Sequence, residues 1–158
     1  VSRLSKETKA TELGKKYHGQ IEVEERIVDN CAMQLVLNPN QFDVLITTNM
    51  FGDILSDEIA GLVGGLGLAP SANIGKEASI FEAVHGSAPD IAGQQLANPT
   101  ALMLAAALML DHVGEQEKAT TLREALDAQL RSGEGLTVDL GGTTSTTEFA
   151  QNIIQRFS

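Results

Sequence analysis

The sequence predicts an α/β fold with at least part of its sheet parallel, and three observations lead there. Short β-branched or alternating runs at residues 21–28, 43–47 and 79–84 take turns with longer segments of helical period. Glycine and proline punctuate the junctions, notably at residues 64–67 and 85–99. The 158 residues are 42% hydrophobic and 20% charged, which suits a soluble globular chain with a sizeable core.

The elements follow in order. Residues 1–20 are polar and helix-compatible, with Leu4, Leu13 and Tyr17 as a thin apolar stripe. In residues 21–28, Ile21 and Val23 alternate with Glu22 and Glu24, the period of a half-exposed strand. Asp29 reads as the start of a helix that buries Met33, Leu35 and Val36 and stops at Asn38-Pro39. Val44, Leu45 and Ile46 mark a buried strand over 43–47. From Asn49 a polar turn leads into a helix with Ile54, Leu55, Ile59, Leu62 and Val63 on its apolar side, which dissolves into Gly64-Gly65-Leu66-Gly67. Pro70-Ser71-Ala72-Asn73 reads as a turn, 79–84 as a strand and 85–99 as a loop. Residues 100–113 predict a helix apolar nearly all round, hence deeply buried and suited to a subunit interface. An amphipathic helix over 117–130, a turn at Gly133-Glu134-Gly135, a short strand near Val138 and a last helix over 146–156 complete the chain.

Composition excludes several function classes. A net charge of -10 with 11 scattered Lys and Arg argues against nucleic-acid binding, which needs clustered cations. The single cysteine, Cys31, permits no intrachain disulfide and suits a reducing compartment; inside Cys31-Ala32-Met33 it reads as a buried, inert thiol. The longest apolar stretch, residues 101–110, falls far short of the roughly 20 needed to span a bilayer. No membrane partner and no signal peptide are expected. The chain begins at Val1 rather than Met, which suggests a missing N-terminal part.

Asp53 and Asp57 lie one helical turn apart, so their carboxylates leave one face together. Like charges at that spacing destabilise a helix by about 0.2–0.5 kcal/mol. A place in the first turns offsets part of this through the helix dipole, and a hard cation such as Mg²⁺ or Mn²⁺ would reverse its sign. Capping plus a solvated face is the plainer reading. For Asp29 the residue pattern by itself gives a helix N-cap.

The segment Asn49-Met50-Phe51-Gly52-Asp53-Ile54-Leu55-Ser56-Asp57, continuing through Ala60 to Gly64-Gly65-Leu66-Gly67-Leu68, resembles the signature of the isocitrate/isopropylmalate dehydrogenase family. That resemblance implies that Asp53 and Asp57 bind the divalent metal that chelates the hydroxyl and α-carboxylate of the substrate. Val28-Asp29-Asn30 is similar to the family's further metal-site segment. Asp29 is accordingly expected as a third ligand, reaching the site of the neighbouring subunit in a homodimer with shared active sites.

Residues 82–93, Glu82-Ala83-Val84-His85-Gly86-Ser87-Ala88-Pro89-Asp90-Ile91-Ala92-Gly93, with Ala97-Asn98-Pro99, resemble the family's cofactor loop. Gly86 lets a ligand approach the backbone, Pro89 stiffens the turn, His85 offers a flat ring and Asn98 both a donor and an acceptor for an adenine edge. His85, Gly86, Ser87, Ala88, Pro89, Asp90, Ile91 and Asn98 are the expected cofactor-binding residues. The loop is not a G-x-G-x-x-G turn, so no Rossmann site is expected. Asp90 stands where the family's NAD-linked members carry Asp and its NADP-linked members Lys. A carboxylate there accepts from both ribose hydroxyls and repels a 2′-phosphate. Ile91 replaces a Tyr of the NADP type, so NAD is the expected cofactor.

The flanking runs, Gly61 to Pro70, Ala72-Asn73-Ile74-Gly75, Ile80-Phe81-Glu82-Ala83 and Asp139-Leu140-Gly141-Gly142-Thr143, look closer to isocitrate than to isopropylmalate dehydrogenases. The resemblance runs from about Ile21 onward and covers only the C-terminal portion of such an enzyme, with its mixed-sheet layered fold. Residues 1–62 would belong to the small, interface-forming domain and 63–158 to the large one. The family's substrate-clamping Ser and Arg, and its catalytic Tyr and Lys, would lie outside this chain. No catalytic residue is therefore assigned to it, Lys6 and Lys9 do not match the lysine motif, and alone it should be inactive. The expected activity is oxidative decarboxylation of isocitrate to 2-oxoglutarate in the tricarboxylic acid cycle, in the cytoplasm or, in a eukaryote, the mitochondrial matrix. The alternatives are another 3-substituted malate as substrate, isopropylmalate among them, or a non-catalytic regulatory subunit.

Overall fold

The computed structural model describes residues 16, 20 and 22–157. The expected N-terminal apolar stripe of Leu4, Leu13 and Tyr17 lies outside them. The chain divides between Leu62 and Val63 into two compact units.

The first unit holds α1 (Val28–Leu37) and α2 (Asn49–Val63), the latter running to the division. Ile27, in extended conformation, caps α1; its carbonyl accepts from the Cys31 amide at 2.9 Å. Asp29 is thus not the cap but a first-turn residue, where its charge faces the positive end of the helix dipole. Pro39 disfavours helical geometry in the residue before it, and the helix ends at Leu37 with the Asn38 amide bonded back to the Gln34 carbonyl.

Cys31, Leu35 and Leu55 form the core of this unit, flanked by Val28, Ala32, Phe42, Leu45 and Ile59. Met33 and Val36, expected to be buried, are exposed. Cys31 and Leu35 stack one turn apart, and Met33 falls about 200° round the helix from Cys31. Burial holds the Cys31 thiol in its neutral form by raising its pKa, against a smaller opposing pull from Arg26.

Neither predicted strand of this unit forms among the described residues. Residues 22–27 and 44–48 are unpaired by any ladder, and Val44 and Ile46 are 75% and 64% exposed while Leu45 packs inward. The alternation of a strand is there, but a strand also needs a hydrogen-bonding neighbour. The segments are tied by side chains instead: Arg26 donates to Glu24 and Gln41, and its guanidinium sits 4.9 Å over the Phe42 ring. On α2 the buried stripe is narrower than predicted: Leu55 and Ala60 are buried, and Ile54, Leu62 and Val63 are exposed.

The second unit begins with β1 (Pro70–Ile74) and β2 (Ser79–Ala83), which pair antiparallel from Pro70↔Ala83 to Ile74↔Ser79. This corrects the expectation of a turn at residues 70–73; the pair formed among the described residues is antiparallel. Pro70 is the first residue of its strand, where the missing N–H breaks no ladder bond. So short a connection as residues 75–78 allows only antiparallel pairing. Gly75 donates to the Ala78 carbonyl at 3.0 Å, and a Cβ at Gly75 would stand 2.6 Å from that oxygen, so the turn needs glycine.

α3 (Thr100–His112) packs on both strands and on α4 (Gln116–Ser132), and α5 (Thr146–Gln155) packs on α4. Ala101, Ala105 and Ala107 are buried, and their small side chains admit close approach, but Leu102 and Met109 are exposed, so α3 is not buried all round as expected. Ala125, Leu126, Phe149 and Ile153 form the core, with Met103, Leu104, Leu122, Leu130 and Leu136 packed round it. Gln129, buried, donates to the Glu134 and Gly135 carbonyls and accepts from Arg156, closing α4 onto the chain end. The predicted strand near Val138 is a single 3₁₀ turn, Val138–Leu140. Both the Leu140 and Gly142 amides bond to the Thr137 carbonyl, which winds the chain rather than extending it. No helix among the described residues is long and apolar enough to cross a membrane.

Candidate functional site

Asp53 and Asp57 occupy the second and third turns of α2, not the first, so the dipole offsets less of their repulsion than the sequence suggested. Each lies two residues, about 200°, from the buried Leu55, and the two are only about 40° apart. Both are exposed on the face opposite the core. Asn49, one turn earlier, donates from Nδ2 to Asp53 Oδ2 at 3.1 Å. Asp29 is exposed too, about 200° round α1 from the buried Cys31, and accepts from the Asn30 amide at 2.6 Å.

The helices therefore meet through Cys31, Leu35 and Leu55, and all three carboxylates point away from that contact. Among the described residues no three His, Cys, Asp or Glu side chains gather at one point. The donor set itself, exposed carboxylate oxygens, is what Mg²⁺ or Mn²⁺ prefers.

The loop from Val84 to Pro99 is shaped by its own backbone. His85 Nδ1 lies 2.9 Å from the Gly86 carbonyl; a carbonyl only accepts, so Nδ1 carries the proton and a neutral ring keeps Nε2 as an acceptor. Gly86 and Ser87 are exposed. Ala88 takes a left-handed conformation (φ 38°) and caps the turn Pro89–Ile91, whose Ile91 amide bonds to the Ala88 carbonyl at 3.1 Å. Gln94 Nε2 donates to the Asp90 carbonyl at 2.6 Å, while the Asp90 side chain is exposed. Ile91 is half-buried.

Asn98 is more constrained than its sequence reading implied. Its Oδ1 accepts from the Thr100 amide at 3.0 Å and its Nδ2 donates to Asp139 Oδ2 at 2.9 Å. One N–H and one lone pair remain for a ligand. The far side of the loop is held by the start of α5: the Thr146 amide bonds to the Gln95 carbonyl, Thr146 Oγ1 to the Ala97 carbonyl, and Thr147 Oγ1 to Gln95 Oε1. These bonds fix Gln95 at φ 60°, a region uncommon for a side-chain-bearing residue.

Asp139, Thr146 and Thr147 were given no site role from the sequence because they lie 41 to 52 residues along the chain from their loop partners. A local signal did exist for the element that carries the threonines. Ser145 and Glu148 have capping-box spacing, and both reciprocal bonds form. Those bonds from Ser145 hold the Glu148 carboxyl below the usual carboxylate range.

Comparisons with known proteins show the family and the fold. Residues 1–153 match the isocitrate/isopropylmalate dehydrogenase family. The chain is 57% identical to isocitrate/homoisocitrate dehydrogenase of Thermus thermophilus, over 85% of its own length and 40% of the relative. It is 51% identical to 3-isopropylmalate dehydrogenase of Archaeoglobus fulgidus (87% and 42%), and 50% identical to a mitochondrial regulatory chain of NAD isocitrate dehydrogenase from Dictyostelium discoideum (87% and 39%). The crystal structure of isocitrate dehydrogenase from Methylococcus capsulatus superposes with a TM-score of 0.86 at 48% identity, over 93% of this chain and 45% of that one. The fold is thus the α/β layered fold of those enzymes, present in part, and the chain spans about two fifths of the length of these relatives.

Proposed function

Because this chain belongs to the isocitrate/isopropylmalate dehydrogenase family, we propose that it is part of a metal-dependent, NAD-linked enzyme that oxidises and decarboxylates isocitrate. The observation that carries this reading is the pair Asp53 and Asp57 on one exposed face of α2, opposite the buried Leu55. Acidic side chains so placed repel each other in the free protein and become favourable partners of a divalent cation. Such an ion supplies Lewis acidity toward a substrate hydroxyl and carboxylate, which favours both hydride loss and decarboxylation.

The carboxylates hold that ion by three groups of hard oxygens, two from α2 of one chain and Asp29 from α1 of a second. Asp29 points away from the contact between its own helices, as a residue serving a neighbour must. In the loop, His85 presents its ring and Asn98 its remaining donor and acceptor to an adenine. Asp90 accepts from two ribose hydroxyls, and its charge opposes a 2′-phosphate, so NAD is preferred. The enzyme works in the cytoplasm, or in the mitochondrial matrix of a eukaryote. Substrate-clamping and proton-transferring groups come from outside this chain.

The 51% identity to an isopropylmalate dehydrogenase supports a second reading, in which another 3-substituted malate is the substrate. Assay of the full-length protein with Mn²⁺ and NAD against isocitrate and 3-isopropylmalate separates the two. The expected result is NADH and 2-oxoglutarate, with the higher kcat/KM for isocitrate. A higher value for the other acid would establish the second reading, and turnover only after addition of a partner subunit would make this a regulatory chain.

A further inference from the structure

We infer that Asp139 is a positioning residue that fixes the orientation of the Asn98 carboxamide and thereby makes the loop selective for adenine over hypoxanthine. The inference rests on reading the loop as the adenosine site.

A carboxamide has two N–H donors on one side and an oxygen with two lone pairs on the other, and a flip exchanges them. In this chain both sides are engaged by groups of opposite and fixed character. The Thr100 backbone N–H can only donate, and it meets Oδ1 at 3.0 Å. The Asp139 carboxylate, when ionised, can only accept, and it meets Nδ2 at 2.9 Å. A flipped Asn98 would set oxygen against carboxylate and N–H against N–H, losing both bonds for two repulsions.

The backbone that carries the exposed Asp139 is well fixed. It sits in the Val138–Leu140 turn, which the Thr137 carbonyl closes by accepting from Leu140 at 3.0 Å and Gly142 at 2.9 Å. The Thr144 amide bonds to the Leu136 carbonyl at 2.9 Å and anchors the same segment. Gly67, from the glycine-rich run, lies beside the pair: a Cβ there would stand 3.6 Å from both Asn98 Cβ and Asp139 Oδ2.

The unused half of the amide is one N–H donor beside one acceptor lone pair. Adenine matches it with a ring nitrogen that accepts and an exocyclic amino group that donates. The Watson–Crick edge of hypoxanthine presents the reverse, a ring N–H donor and a carbonyl acceptor, which only the flipped amide would fit. An orientation lock is therefore a base-selectivity device.

Calorimetric Kd values for NAD and for nicotinamide hypoxanthine dinucleotide, on the full-length protein, test this. Asp139→Asn keeps the size but can either accept or donate, so it removes the carboxylate's opposition to the flip and leaves only that of the Thr100 N–H. Asp139→Leu removes the acceptor outright. Both are expected to reduce the preference for NAD about three- to tenfold, the worth of one neutral hydrogen bond. A structural role alone would weaken both dinucleotides together, and an unchanged ratio in the folded Asp139→Asn protein would overturn the inference. Asn98→Ala is the control for the underlying reading. If it collapses the preference and Asp139→Asn does not, the positioning role alone fails. If Asn98→Ala leaves the preference intact, the loop does not read the base and both fail.

Discussion

On α2, Asp53 and Asp57 are aligned by helical period alone; besides Asn49, one turn away, no partner for Asp53 or Asp57 is found among the described residues, and no third carboxylate joins them. In the loop, Asn98 is aimed by Thr100 and Asp139, and the loop backbone is held by Thr146 and Thr147 from α5. On the proposed reading, the first region is half of a cation site, with its groups facing outward. The second is braced within its own unit, by residues far along the sequence. A cation site can be left incomplete in this way because the ion supplies the binding energy that joins its parts. Recognition of a neutral base edge has no such driving force, and depends on donors and acceptors fixed in advance.

Exchanging the loop's charge is the sharpest way to break this contrast. Asp90→Lys with Ile91→Tyr replaces the group that opposes a 2′-phosphate by one that attracts it. The ratio of kcat/KM for NAD to that for NADP should fall by at least about tenfold, ~1.4 kcal/mol. Mn²⁺ binding should not change. An unchanged nucleotide ratio would remove Asp90 from the account.

A smaller effect tests the brace. Ser145→Ala deletes the cap of the helix whose Thr146 and Thr147 hold Gln95 and Ala97, at a cost of about 1 kcal/mol in stability. The pH dependence has a definite sign. Glu148 is held below its ordinary pKa in the folded state, so its contribution is complete above the ordinary carboxylate value and is lost as pH falls through the lowered one. Ser145→Ala keeps the backbone N–H that lowers Glu148 most and removes only the hydroxyl's smaller share, so urea melts at stepped pH should show the gap to wild type narrowing in acid without closing. A constant gap would mean that the Ser145 hydroxyl has no share in the shift.

What the sequence could reveal follows the same division. Helical period and short motifs are local, so all the long helices, the β2 strand and the outward face of Asp53 and Asp57 were readable. Pairing is not local. Pro70-Ser71-Ala72-Asn73 has turn composition yet forms β1, because Ser79 to Ala83 lies beside it across a glycine turn. Val44-Leu45-Ile46 has strand composition, yet it has no ladder partner among the described residues. Asn98 was legible as a candidate, but its orientation depends on Asp139, 41 residues away. Asp29 was placed correctly at a helix start, and only the backbone showed it to lie inside the first turn rather than at the cap.

The claim on which the account turns is that a divalent ion is held by Asp53 and Asp57 of one chain together with Asp29 of another. Electron paramagnetic resonance of Mn²⁺ titrated into mixed dimers of Asp29→Asn and Asp57→Asn full-length protein tests it directly. Each variant alone should lose tight binding, and the mixture should regain it, because a mixed dimer pairs one chain's intact Asp53 and Asp57 with the other's intact Asp29. No tight Mn²⁺ in the mixture, with wild type binding normally, would contradict a site built across two chains.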